Sequence, residues 1–277
     1  MKRLLFFILL LAFGADNIYA QKGLNLQIIA QPGISFGGEF DVTKILTSTD
    51  TWVAMDKSLT INMNMGAELG YNFTDNMGVS LGLLYSHQGQ KFSDYSWTIG
   101  NETVSWGRSV SLNYLKIPIQ FNYISTPVQN ISFMFSTGFY LGFLMSYTDE
   151  NIISASDGSN ITSTANGTTC TQTSTDNSGT TTESAAFVNG NPFNSFDFGG
   201  ILAAGLQFKL TDKIFLPILL NYQIGFSDVK NQASQFTQSN SSNAELFWQG
   251  SNNNSPNATL PYHNSSLGFK IALKFIL

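Results

Sequence analysis

Charge is scarce in this chain. Lys, Arg, Asp and Glu make up 11% of its 277 residues, where a soluble domain carries about a quarter. Histidine occurs twice and cysteine once. A lone cysteine makes no internal disulfide. Cys170 also sits in a Ser/Thr/Asn-rich stretch with no His or second Cys nearby, so no metal and no cofactor are expected. A net charge of −5 without a basic cluster excludes nucleic acid as a partner, because phosphates need cations to neutralise them. Long apolar runs are missing too. Beyond residue 20 nothing approaches the ~20 apolar residues a helix needs to cross a bilayer. Yet 43% of the chain is hydrophobic, with 23 Phe. An open sheet of such segments would expose a continuous apolar belt to water. A closed sheet in lipid pairs every backbone group and gives that belt hydrocarbon to face.

The N-terminus agrees with export. Met1-Lys2-Arg3 is followed by Leu4 to Phe13 without a polar residue, and a small residue, Ala20, precedes Gln21. A charged head, an apolar run of about ten residues and a small residue at the cleavage point form a signal peptide. The run is too short to span as a helix. The expected division is a signal peptide over 1–20 and one outer-membrane β-barrel domain over 21–277.

Period-two alternation dominates what remains, and it places successive side chains on opposite faces of a strand. One segment shows it without interruption: Leu59, Ile61, Met63, Met65, Ala67, Leu69, Tyr71 and Phe73 on one face, Thr60, Asn62, Asn64, Gly66, Glu68, Gly70 and Asn72 on the other. Such segments recur near 24–36, 79–85, 110–123, 131–147, 196–208, 214–226 and 267–277, which makes eight. The segment over 110–123 changes phase. Val110, Leu112 and Tyr114 are even, Leu115, Ile117, Ile119, Phe121 and Tyr123 odd, so a β-bulge near Tyr114-Leu115 is expected, with Pro118 on the inward face. In the segment over 131–147, Ile131, Phe133, Phe135, Phe139, Leu141, Phe143, Met145 and Tyr147 are expected to point outward.

The connections alternate short and long. Turns at 74–76, 125–130 and 211–213 are tight, while 37–58, 88–108, 149–194 and 227–262 are long loops. Aromatic residues gather at both strand ends, with aliphatic residues between, as two girdles around an apolar band require. The expected fold is all-β: an eight-stranded antiparallel up-and-down transmembrane β-barrel, with short periplasmic turns and long extracellular loops. The third loop is too polar to bury a core and is expected to be mobile. Trp52, Trp97, Trp106 and Trp248 fall in the loops and are expected to anchor them by packing.

The stretch Ser111-Leu112-Asn113-Tyr114-Leu115-Lys116-Ile117-Pro118-Ile119 resembles the leucine-x-tyrosine-leucine-x-isoleucine-proline strand of the small outer-membrane barrels called PorT-like. The terminal strand Gly268 to Phe275 resembles a barrel assembly signal, although the chain ends on Leu277 rather than an aromatic residue. The resemblance implies a barrel of the OmpA/OmpX kind in a Gram-negative envelope. Through the family name it also implies a link to protein secretion and an envelope protein partner.

Candidate chemistry falls in two places. Glu68, Lys116, Asp197, Lys270 and Lys274 fall on inward positions. An eight-stranded barrel is only wide enough for side chains to fill it, so these groups are expected to pair as a polar network closing the lumen rather than to line an ion path. At the outer rim, His263 and Ser265 would both face outward, where a histidine beside a serine can act as base and nucleophile. The spacing resembles that of lipid A deacylases, but the sequence places no orienting carboxylate. His87 is read as a rim residue that meets water. The function that fits is a non-catalytic barrel presenting loops at the cell surface, for structural, adhesive or ligand-binding purposes. Outer-membrane lipid and lipopolysaccharide would surround it. A part in an envelope secretion assembly and a rim-located lipid-modifying enzyme are the alternatives.

Overall fold

The computed structural model describes residues 22–37, 41–43, 52–54, 57–99, 101–167, 169–189, 193–229, 235–237 and 262–277. The expected signal peptide and most of the fourth loop lie outside them. In chain order the strands are β1 (Gly23–Phe36), β2 (Asp41–Thr43), β3 (Trp52–Ala54), β4 (Lys57–Ser58), β5 (Thr60–Asn72), β6 (Met77–Ile99), β7 (Glu102–Ile124) and β8 (Ile131–Ala155), then β9 (Asn160–Asn166), β10 (Thr169–Thr175), β11 (Thr181–Asn189), β12 (Phe196–Lys209), β13 (Ile214–Gly225), β14 (Gln235–Thr237) and β15 (Ser265–Ile276).

Eight of them form a ring. β1, β5, β6, β7, β8, β12, β13 and β15 pair in that order, all antiparallel, and β15 returns to β1. The register fixes the shape. Following paired residues from Leu26 leads through Leu69, Leu81, Ile119, Phe139, Gly200, Ile224 and Ser265 back to Phe36, ten positions further along β1. A stagger of that size tilts the strands by about 35–45° and leaves an interior that side chains can fill. Turns at the periplasmic end are short. Outward residues of the wall are apolar and exposed, among them Leu69, Leu81, Ile119, Phe139 and Leu220, while Gln27, Asn64, Glu68, Gln120 and Asn122 are buried inside.

The structure corrects the phase of β7. Every even position from Trp106 to Ile124 is buried, and the pairing with β6 runs past Tyr114 without a shift. There is no bulge in β7. Val110, Leu112 and Tyr114 face the interior. The extra residue lies instead on β8, where Asn113 pairs with Ser146 and Tyr114 with Leu144, which leaves Met145 over. Tyr147 therefore turns inward, at 3% exposure, and does not belong to the outer girdle. The apparent phase change in β7 marks a change of surroundings. Below Tyr114 apolar residues face hydrocarbon, and above it they face a core. Outside the wall, at that level, a polar rank crosses three strands: His87 Nδ1 lies 2.8 Å from Asn113 Oδ1, and Asn113 Nδ2 donates to Ser146 Oγ at 3.0 Å. Deleting Met145 should therefore leave a barrel with the same heat-dependent gel shift, because it only regularises the ladder. Deleting Tyr114 should abolish folding, because it inverts one half of β7.

Pro118 does face inward. Proline lacks the N–H that a ladder needs, and the β6–β7 pairing skips from Leu81–Ile119 to Leu84–Lys116 around it. Gly82 gives it room, since a Cβ there would come within 2.8 Å of Pro118 Cγ.

Two expected loops are ordered sheet. Residues 88–99 and 102–108 are the upper parts of β6 and β7, paired up to Ile99–Glu102. Most of 149–194 continues β8 into a meander of β9, β10 and β11. Threonine recurs along β9 and β10, and its β-branched side chain suits a pleated strand. Composition alone hid this, because the apolar residues that are buried there are few. Ile153, Ala165 and Cys170 pack against Trp106 and Tyr147. Trp106 belongs to β7, not to a loop. The side chains of Trp52, Trp97 and Trp248 lie outside the described residues.

Candidate functional site: the barrel interior and its outer mouth

The interior has two tiers: within the membrane polar side chains fill it around two small apolar clusters, Ile124 with Met134, Ala203 and Leu219, and Ile29 with Leu84 and Ala272, and above the membrane one larger aromatic cluster does. In the lower tier Lys270 Nζ lies 2.9 and 2.8 Å from the two carboxylate oxygens of Glu68. Gln120 Nε2 donates to the same carboxylate at 2.8 Å, and Ser80 Oγ adds a longer bond of 3.4 Å. Both charges are out of contact with solvent, at 0 and 1% side-chain exposure. Among the described residues Lys116 has no carboxylate at hydrogen-bond distance. Its ammonium donates to Gln88 Oε1 at 3.0 Å and Gln223 Oε1 at 2.9 Å, and stands 4.2 Å from the centre of the Tyr140 ring. Gln223 and Asn64 both donate to Gln31 Oε1, so these bonds bridge the lumen.

Asp197 accepts from Tyr140 Oη and Asn264 Nδ2, each at 3.1 Å, and from Ser227 Oγ. Of the five inward charges read from sequence, the structure brings Glu68 and Lys270 into an ion pair. Lys116 and Asp197 meet opposite features of one tyrosine, its ring and its hydroxyl. Lys274 is buried lower on β15, where it pairs in register with Gln27 and Phe215.

The upper tier was not read from sequence. Phe92, Trp106, Val110, Leu112, Tyr114, Tyr147, Ala165, Cys170, Phe193, Val229 and Tyr262 form one buried cluster. Within it the Tyr147 and Phe193 rings meet edge-on, with centroids 5.2 Å apart. A bidentate ion pair lies in its wall: Arg108 Nε and Nη2 donate to Asp149 at 2.9 and 2.6 Å. The signal that could have found this tier is parity. Trp106, Arg108, Val110, Leu112 and Tyr114 share the even phase of Lys116, Gln120 and Asn122.

Cys170 sits in this cluster outside the membrane, and burial first, then the Asp149 charge, push its thiol up to about 11. The thiolate is the reactive form, and it appears only as pH rises toward that value. At pH 8 the native thiolate fraction should lie about a hundredfold below that of an ordinary thiol, and the native protein should resist a maleimide or disulfide reagent to that extent. The unfolded chain, with an ordinary thiol, should react at once. Equal rates would place Cys170 outside the core.

Among the described residues no hydrogen bond joins the two rim candidates. His263 and Ser265 both occupy outward, half-buried positions. The His263 ring is held through Nδ1 by the Ser227 carbonyl at 2.8 Å. The orienting partner is thus a backbone carbonyl, not a carboxylate. His87 is exposed in the polar rank described above. Among the described residues no three His, Cys, Asp or Glu side chains gather as metal ligands.

A closed antiparallel ring with an apolar exterior and a polar interior defines a transmembrane β-barrel. The model of the outer membrane protein beta-barrel domain matches residues 19–231, and the chain belongs to that family. Its place is the outer membrane of a Gram-negative cell. Solved structures similar to it include Ail, the attachment invasion locus protein of Yersinia pestis, in complex with the heparin analogue sucrose octasulfate. The identity is 9%, with 92% of this chain and 99% of that one covered and a TM-score of 0.33. Another is the P. putida toluene transporter TodX, at 9% identity, 96% and 91% coverage and a TM-score of 0.26. Comparison with curated proteins finds no match.

Proposed function

We propose that this chain is a non-catalytic outer-membrane barrel that holds a rigid sheet above the cell surface, for adhesion, ligand binding or envelope structure. The observation that carries this reading is strand length. A transmembrane strand needs about 9–11 residues. β6, β7 and β8 run for 23, 23 and 25, and β9 to β11 extend the same sheet. The excess is anchored by the aromatic cluster rather than left as free loop. The interior, filled by polar side chains below and by that cluster above, reads as a plug; single channels in planar bilayers should show no conductance above background. Residues 1–20 serve as the signal peptide and 21–277 as the barrel, surrounded by outer-membrane lipid and lipopolysaccharide.

Surface labelling tests the presentation. In a Cys170→Ala background, Thr171→Cys on β10 should react on intact cells with a reagent that cannot cross the outer membrane. Protection until the cells are opened would sink the reading. The enzyme alternative makes a different demand: lipid A from cells with and without the protein would differ by an acyl chain, and Ser265→Ala would abolish the difference. The PorT-like motif supports a secretion role only through its resemblance. Its residues Tyr114, Lys116 and Pro118 face the interior and Ile117 the lipid, which supports a part in the wall. Crosslinking in intact cells would decide, through a reproducible partner in comparable amount.

A further inference from the structure

The outward belt is not uniform. Around β6, β7, β8, β12 and β13 a groove of about 710 Å³ is cut into it, within the range of small-ligand sites. Its floor exists because Gly200 carries no side chain between its paired neighbours Phe139 and Ile224. Phe139 stands out as one wall, at 66% exposure. The groove follows the pairing direction and is therefore oblique to the membrane normal. Its upper end lies at Ile224 and the outer aromatic rank, where Phe226 meets Phe198 at 5.9 Å and Phe198 stacks on Phe196 at 6.2 Å. From there it descends past Tyr222 and Thr137 to Val79 near the periplasmic turn.

Those two hydroxyls are the second observation. Thr137 and Tyr222 lie on one pairing row, each opposite Leu202. Both face the groove, and neither has a hydrogen-bond partner among the described residues. In hydrocarbon such a group is costly, because no water is there to satisfy it. A plain hydrocarbon chain would leave both bare.

We propose that this groove is a lipid site that holds one acyl chain of an outer-leaflet lipid A molecule, with chain-borne hydroxyl or ester oxygens meeting Tyr222 and Thr137. It rests on the reading of lipopolysaccharide as the barrel's surroundings and makes it specific. The groove is continuous with the barrel's lipid interface, and its upper end lies at the outer leaflet, which sets the source of the chain. Gly200 keeps the slot open, and the hydroxyls favour a chain that carries oxygen over one that does not.

Native mass spectrometry of the purified barrel tests this, using lipid A as probe against an excess of phosphatidylethanolamine. Wild type should retain one lipid A. Gly200→Phe should lower that retention by about tenfold or more, while Leu26→Phe, on the opposite wall, should leave it unchanged. A heat-dependent gel shift checks that Gly200→Phe folds. If it does not, Thr137→Val with Tyr222→Phe keeps the bulk, removes both hydroxyls and should lose the lipid in the same way. Retention by the variants, or equal uptake of phosphatidylethanolamine by wild type, overturns the proposal. So does a dimer of this chain that Gly200→Phe dissolves. Surface labelling at position 171 is read separately, so failure here leaves the presented sheet untouched.

Discussion

Glu68→Gln should destabilise the folded barrel by about 3–5 kcal/mol in a urea titration in lipid vesicles, because it leaves the Lys270 ammonium buried without its counter-charge. The pair is enclosed, and Gln120 and Ser80 are already committed to the carboxylate. The double variant Glu68→Gln with Lys270→Met should recover much of the loss, since removing both charges also removes their desolvation cost. A buried ion pair of this kind is thus weak evidence for stability and strong evidence for intolerance of single changes. If Glu68→Gln unfolds at the wild-type urea concentration, Lys270 reaches water and the lower tier is not sealed.

The second large effect belongs to the upper tier. Trp106→Ala should cost about 3–5 kcal/mol, the range for emptying a large aromatic site in a packed core. The loss should be local. Trp106 packs within the upper cluster, and its indole N–H donates to Asn151 at 3.3 Å, also above the membrane. Limited proteolysis of intact cells should therefore cut the variant within 156–189, while the membrane-embedded fragment keeps its heat-dependent gel shift. Loss of that shift would mean that the two tiers fold as one unit.

The eight wall strands, their antiparallel order and the inward charges were legible because the alternation rule has one meaning inside a membrane: apolar out, polar in. The same rule misread the upper parts of β7 and β8. Val110, Leu112, Tyr114 and Tyr147 are apolar and were assigned to the lipid side, but above the bilayer water lies outside and the core lies inside. The inversion at Tyr114 looks in sequence like a slip of register, and only the pairing with β6 shows an unbroken strand. The meander of β9 to β11 was hidden for a related reason. Its threonines and serines read as a flexible loop, while one buried face with as few apolar residues as Ala165 and Cys170 is enough when Trp106 and Tyr147 stand opposite. The groove could not be read at all, since a glycine such as Gly200 says nothing of its neighbours until strands far apart in sequence are set side by side.

The seam between β1 and β15 has a kinetic consequence. Its partners are the earliest and the latest strands of the ring, Gly23–Phe36 and Ser265–Ile276, so the ring cannot close before β15 has been delivered to β1. Contacts of such sequence separation are slow to form, because loop closure must be met before they give anything back. Until that moment both strands present open edges, a template for pairing with other chains. A chain truncated before β15 should therefore not yield a smaller barrel. It should remain an unclosed sheet, a substrate for the envelope's chaperones and proteases, and the cell's supply of this protein should depend as much on the escort of that intermediate as on the stability of the finished ring.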